Sequence, residues 1–108
     1  MSINKELMKG STTILILNLL ERKPMYGYEM AKEMERLSNG LFLFKEGTLY
    51  PILHALESEG SIEAYWEMKD GRKRKYYKLL DRGRQKLQEK KQEWRLFRST
   101  VDHVLGEG

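Results

Sequence analysis

Arg72, Lys73, Arg74 and Lys75 follow one another without a break, and Lys78 comes three residues later. Cations packed this closely on a folded chain can neutralise phosphates and release their counterions, so the chemistry they point to is binding of a polyanion, weakening as salt rises. Lys69 through Lys86 holds nine basic against two acidic residues, a local +7 that exceeds the +4 of the whole chain. Residues 1–60 sum to −1 and residues 61–108 to +5. Such a focus suggests nucleic acid first and an anionic membrane second, against the plain alternative of a solvated charged face.

A second group is Gly47, Thr48, Tyr50, Pro51 and His54, with Lys45 just before it. Gly47 and Thr48 can set backbone amides and a hydroxyl against a phosphate with no side-chain charge. Tyr50 and His54, one helical turn apart, can reach base edges or backbone, and Lys45 is a further phosphate ligand; the alternative for the pair is two solvated helix residues. Tyr76 and Tyr77 must point to opposite faces of a strand. Tyr77 shares its face with Leu79 and is expected in the core, which leaves Tyr76 free to touch a partner. Trp66, in line with Ile62 and Met68, is expected to pack.

Catalysis finds little footing. His54 and His103 fall on different elements and in no metal-binding spacing, no phosphate-cradling glycine loop, nucleophile elbow or HExxH occurs, and nothing singles out a pair among the sixteen acidic residues. Zero cysteines exclude a disulfide scaffold, a thiolate metal site and a cysteine nucleophile, and fit a reducing compartment. No enzyme activity, metal or cofactor is expected, and the cytoplasm is the expected location. Lys5 and Lys9 ahead of Thr12 to Leu20 imitate a secretory signal, but no small-residue cleavage site follows. The apolar run also falls short of the ~18 residues needed to cross a bilayer, so it reads as a buried helix and no membrane partner is expected.

The elements that must position these residues can be read from periodicity. A chain of 108 residues, 40% apolar and 33% charged, makes one domain, with or without a projecting element. Ile14 through Leu20 is apolar on nearly every side, so whatever faces away from its own domain calls for a partner chain. Asn4 could cap this helix, Gly10-Ser11-Thr12 weakens its start, and Pro24 ends it. Met30, Ala31, Met34 and Leu37 form one face of a second helix, stopped by Ser38-Asn39-Gly40. Leu41 to Phe44 is expected as a short buried strand. Leu49, Ile52, Leu53 and Leu56 mark a third helix starting near Gly47 or Thr48, with Pro51 in its first turn and Gly60 past its end. That register leaves Thr48, Tyr50, Pro51 and His54 outside the core stripe.

The period then changes to two. Ile62, Ala64, Trp66 and Met68 alternate with Glu63, Tyr65 and Glu67, Asp70-Gly71 offers a tight turn, and Arg72 to Leu79 runs back as the second strand of a hairpin. Asp81 is expected to cap a last helix reaching about Leu105, with Gly106 beyond. Leu87, Trp94 and Val101 are spaced by seven, with Phe97 and Val104 between them and Lys90 breaking the pattern. This short stripe needs help to pair. The uncovered side of a partner's first helix would supply it in a homodimer; the alternative is that the stripe folds back on its own domain. The order helix, helix, strand, helix, hairpin is that of a winged helix-turn-helix. The fold class is therefore mainly α (α+β), with a DNA-binding domain over residues 1–80 and a C-terminal dimerisation helix over 81–108. In that architecture the third helix enters the major groove and the hairpin lies along phosphates or the minor groove.

Four blocks, Pro24-Met25-Tyr26-Gly27-Tyr28-Glu29-Met30, Glu46-Gly47-Thr48-Leu49-Tyr50-Pro51-Ile52-Leu53, Leu56-Glu57-Ser58-Glu59-Gly60 and Arg72 to Leu79, together resemble the PadR family of bacterial transcriptional regulators, in its short branch with a single C-terminal helix. The resemblance spans roughly residues 5 to 105. It implies a homodimeric repressor on a pseudo-palindromic double-stranded DNA operator, released by a small molecule or stress signal, with Tyr26 to Tyr28 in the second helix. In some relatives the C-terminal and first helices of a dimer frame a pore for flat aromatic compounds. By that analogy Trp94, with Leu87, Phe97, Val101 and Val104 around it, would either stack a planar effector or simply pack the dimer. The chain stops soon after Leu105, so a pocket built from a larger C-terminal domain is not expected. Two other classes fit the same residues: a dimer that binds planar aromatics with a secondary DNA role, and a winged-helix module whose hairpin meets an acidic protein.

Overall fold

The computed structural model describes residues 10–108, so the proposed role of Asn4 at the start of the first helix lies outside the described residues. The elements run α1 (Thr12–Arg22), β1 (Met25–Tyr26), α2 (Gly27–Leu37), α3 (Glu46–Ser58), β2 (Ile62–Lys69), β3 (Arg72–Leu79) and α4 (Asp81–Leu105). The three strands form one antiparallel sheet in the order β1-β3-β2.

One hydrophobic cluster holds these elements together. Ile16, Leu17, Leu19 and Leu20 of α1, Met30 and Met34 of α2, Leu49, Leu53 and Leu56 of α3, and Met25, Ile62, Tyr77 and Leu79 of the sheet are all buried in it, with Leu87 of α4. The expected apolar stripe of α3 is therefore the packed one, while that of α2 packs through Met30 and Met34 only: Ala31 is half-buried and Leu37, at the end of the helix, is 49% exposed. For α1 the picture is narrower than periodicity suggested: only Ile14 and Leu15 among its large apolar side chains remain half-buried, and its own domain covers the rest.

Leu41 to Phe44 is not a strand. Phe42 and Phe44 rest half-buried against the core while Leu41 and Leu43 face solvent. The physical reason is local: the Ser38 hydroxyl donates to the Met34 carbonyl at 2.8 Å, and the Phe42 amide donates to Ser38 Oγ at 2.9 Å, so the segment closes on the end of α2. The third strand comes from Met25–Tyr26, which pairs with Tyr77 and Tyr76 of β3. Lys23, just before Pro24, is extended at φ −172° and ψ 160°, as a residue preceding proline prefers, and delivers the chain to the sheet edge.

Asp81 does not cap α4 either. Leu80 occupies the cap with extended backbone, and Asp81 is the first helical residue, its carboxylate accepting from Arg84 at 2.8 Å. A negative charge in the first turn still favours the helix dipole. Gly106, at φ 77°, ends the helix as expected. Twenty-five residues make α4 about 37 Å long. Only its foot, through Gly83 and Leu87, joins the core; beyond it Trp94, Leu96, Phe97, Val101, Val104 and Leu105 are exposed. Among the described residues, nothing folds back over that stripe.

Candidate nucleic-acid interface

Helix α3 presents its N-terminal half outward. Lys45, Gly47, Thr48, Pro51 and His54 are exposed, as the core stripe required. Lys45 is the cap residue, extended at φ −95° and ψ 159°, and its carbonyl accepts the Thr48 and Leu49 amides at 3.0 and 2.9 Å. No side chain caps this turn. First-turn amides are the donors that no intrahelical carbonyl satisfies, and they are where an anion is held best. Gly47 has nothing within 4 Å of where a Cβ would stand, so the fold does not itself demand a glycine there. Tyr50 is different: it is half-buried against the core, and a Cβ on Gly27 would lie 2.8 Å from its hydroxyl. It seats α3 on the start of α2, with only part of its ring left for a partner. Tyr26 falls in β1, while Gly27 and Tyr28 open α2.

The hairpin turns at Asp70 and Gly71, with φ of 51° and 75°, the pair of left-handed residues that joins two twisted strands most tightly. Its register sets Ala64 against Tyr77, Trp66 against Lys75, Met68 against Lys73 and Glu67 against Arg74. Side chains alternate, so the cationic run divides between two faces. Lys73 and Lys75 share the face whose inner end, at Ile62, Tyr77 and Leu79, packs on the helices. Arg72, Arg74 and Lys78 share the outer face with Glu63 and Glu67, where Lys78 pairs with Glu63 at 3.2 Å. Arg74 lies over the Tyr26 ring, 5.0 Å from its centroid.

Two aromatic expectations need correction. Tyr77 is in the core at 1% exposure, and burial raises its phenol pKa, with Glu57 and Tyr50 adding to the rise. Yet Tyr76 is also buried, at 9%. Its ring stands edge-on to Tyr26, centroids 5.4 Å apart, and stacks on Tyr65 at 5.7 Å. The arrival of β1 on the other side of β3 builds this cluster, and it leaves Tyr76 almost no free surface. Trp66 fails in the opposite sense: it does not pack, being 60% exposed, and Met68 follows it at 64%. The alternation that placed them in line with Ile62 is real, but the strand outruns the core after Ala64. Eight residues of strand extend about 26 Å, and none beyond Ala64 is buried; nothing in the alternation marks where the covering helices end.

At the other end, Trp94 and Phe97 lie ring to ring at 6.3 Å on the exposed stripe of α4, with Val101 and Val104 following. Leu87 belongs to the core and offers no surface. Glu59, just past α3, accepts from Lys86 at 2.6 Å and from the Ser61 hydroxyl at 2.7 Å, tying the end of α3 to the foot of α4. These donors, Lys86 first, hold its carboxyl pKa below the ordinary value. Among the described residues, no cluster of His, Asp or Glu is placed to hold a metal ion, and no helix is long and apolar enough to cross a membrane.

Residues 16–89, which include α3, the hairpin and the foot of α4, match the profile of the transcriptional regulator PadR-like family. The chain belongs to that family. Solved PadR-family structures support the same placement. The chain is similar to a PadR family transcription regulator from Clostridium difficile at 39% identity and a TM-score of 0.76, over 88% of this chain and 98% of that one. It is also similar to a transcriptional regulator from Clostridium thermocellum at 30% identity and a TM-score of 0.84, over 91% and 96%. A transcriptional regulator of Mycobacterium tuberculosis is 28% identical over 94% of this chain and 90% of its own length. The fold is thus the α+β winged helix of PadR regulators, a family of DNA-binding transcriptional regulators rather than enzymes.

Proposed function

We propose that this PadR-family chain is a cytoplasmic homodimeric repressor that reads a pseudo-palindromic duplex. Its α3 enters the major groove and its hairpin follows the adjacent backbone. The observation that carries the reading is the first turn of α3, exposed, without a side-chain cap and open around Gly47. In this arrangement Lys45, Gly47 and Thr48 hold phosphate, Pro51 and His54 face the groove, Tyr50 acts chiefly by seating the helix, and Arg72, Lys73, Arg74 and Lys75 supply charge. Residues 1–80 form the DNA-reading unit and residues 81–108 the dimerisation helix, although Leu87 is rooted in the core of the former.

Dimerisation is supported by the apolar residues along the projecting part of α4, since a contiguous exposed patch of this kind marks a protein contact. Val101→Asp should yield monomers in sedimentation velocity; a persistent dimer would place the interface elsewhere. Titration of labelled duplex from upstream of its own coding region, followed by anisotropy over a salt series, tests the DNA reading. Tight, salt-dependent binding of an inverted repeat is expected, and failure to bind any duplex at low salt would overturn it.

The stacked, accessible Trp94–Phe97 pair favours a second reading, in which release comes from a planar aromatic molecule held at the dimer seam. Quenching of Trp94 by such a compound, with loss of the DNA complex, would support it; quenching with no effect on DNA would make the chain a ligand-binding dimer first.

A further inference from the structure

The two faces of the hairpin differ in a way the cationic run conceals. The outer face carries carboxylates among its cations: Glu63 holds Lys78, and Glu67 stands across from Arg74. The helix-side face beyond Ala64 carries no carboxylate. It presents Trp66, Met68, Lys73 and Lys75, with Lys73 Nζ 5.6 Å from the centroid of the Trp66 ring and Lys75 Nζ 5.7 Å from that of Tyr77. Each ammonium is thereby steered by an aromatic face rather than left free in solvent.

An indole and a thioether exposed on a strand are out of place on a solvated arm, whose sequence could carry threonine or glutamate there. The charged side chains that share this face of the hairpin beyond Ala64, Lys73 and Lys75, are both cationic, so an occupant must combine negative charge with apolar edges. An acidic protein surface offers charge, but a duplex backbone repeats the needed combination at every step: a phosphate beside the C–H edge of a deoxyribose. The face is also continuous with the packed surface that carries α3.

We propose that Trp66 and Met68, flanked by Lys73 and Lys75, form an apolar contact on the deoxyribose edge of duplex DNA, so that the wing binds chiefly through its helix-side face and Arg74, on the outer face, contributes less. This inference rests on the DNA reading above. It assigns a role to two residues that carry no charge and predicts which half of the cationic run matters more.

The test is a salt series of anisotropy titrations on one duplex with the full-length protein and Trp66→Ala, Trp66→Phe, Lys73→Ala and Arg74→Ala. Since Trp66 is largely exposed, its replacement leaves the fold intact, which an unchanged thermal melt verifies. Trp66→Ala should weaken binding about tenfold at every salt concentration with a parallel slope, as a nonionic contact would. Trp66→Phe should recover most of that loss, and Lys73→Ala should lower the salt slope by about one contact while Arg74→Ala changes it less. Unaltered binding by Trp66→Ala, or a larger slope change for Arg74→Ala than for Lys73→Ala, would overturn the assignment while the parent still binds. Failure of the parent protein itself to bind would instead reject the DNA reading. A change in sedimentation of Trp66→Ala without DNA would overturn it in favour of contact with a second copy.

Discussion

Gly83 sits in the first turn of α4, where a methyl group would overlap the Ser61 carbonyl oxygen and approach Leu79 Cδ1 to 2.6 Å. Ser61 is fully buried, and its carbonyl already accepts the Leu80 amide at 3.0 Å, so the obstacle is backbone that cannot turn aside. Alanine in an open helical site gains up to ~1 kcal/mol over glycine. Here the helix must retreat by about 1 Å, and overpacking of this kind costs about 1–3 kcal/mol, more where the backbone is held. A net loss of about 2 kcal/mol lowers the midpoint of a chain this size by about 8–16 °C. The displacement is also levered. Leu87, the next buried anchor, is about 6 Å along the helix and Val104 about 26 Å beyond it, so a 1 Å shift at Gly83 swings Val104 by about 4 Å. The proposed dimer should therefore weaken together with the fold. Gly83→Ala and Gly47→Ala are best melted side by side at one protomer concentration, because a dimer's midpoint depends on concentration. Gly47→Ala, with open space around its added methyl, should melt at or above the parent; a Gly83→Ala protein that did the same would refute the steric reasoning.

Gly47→Ala should also separate stability from binding: with the fold intact, duplex affinity should fall about tenfold if a phosphate approaches the first turn of α3, and undiminished affinity would remove phosphate from that turn. Gly71→Val forces a β-branched residue to φ 75°, at a cost of about 1–2 kcal/mol. Because the hairpin from Trp66 to Lys75 holds no buried residue, hydrogen exchange at Lys69 and Arg72 should quicken while the global melt barely moves, and a large drop in the melt would show the wing to be part of the cooperative core. The Glu59 carboxyl has a lowered pKa in the folded chain, so its link to Lys86 and Ser61 stabilises fully above the ordinary carboxylate value of 4.5 and is lost as pH falls through the depressed folded value. Glu59→Gln should flatten that acid limb and cost less than about 1 kcal/mol at neutral pH, given that both partners are partly exposed; an unchanged acid limb, measured by denaturant titration at several pH values, would discount the link.

What the chain determined locally it determined well. Asp70-Gly71 accepts two left-handed backbones, Gly106 stops α4, and Leu49, Leu53 and Leu56 mark the buried stripe of α3, all through preferences settled within a few residues; Pro51, expected in the first turn, instead lies inside α3, whose start at Glu46 makes it the sixth residue. Burial followed other rules. Ile62 and Trp66 obey one period on one face, yet one is core and the other solvent, because the helices that cover the sheet end after Ala64. Alternation alone puts Tyr76 outside, yet it is enclosed, because β1 arrives from fifty residues away to complete the ring of tyrosines. Leu41 to Phe44 has strand-like composition, but the free side of β3 is taken by Met25–Tyr26 and Ser38 draws the backbone into a local turn. Period and turn chemistry are properties of neighbouring residues and can be read along the chain; which side of a strand meets water depends on what distant segments bring against it, and that is decided only when the chain has packed.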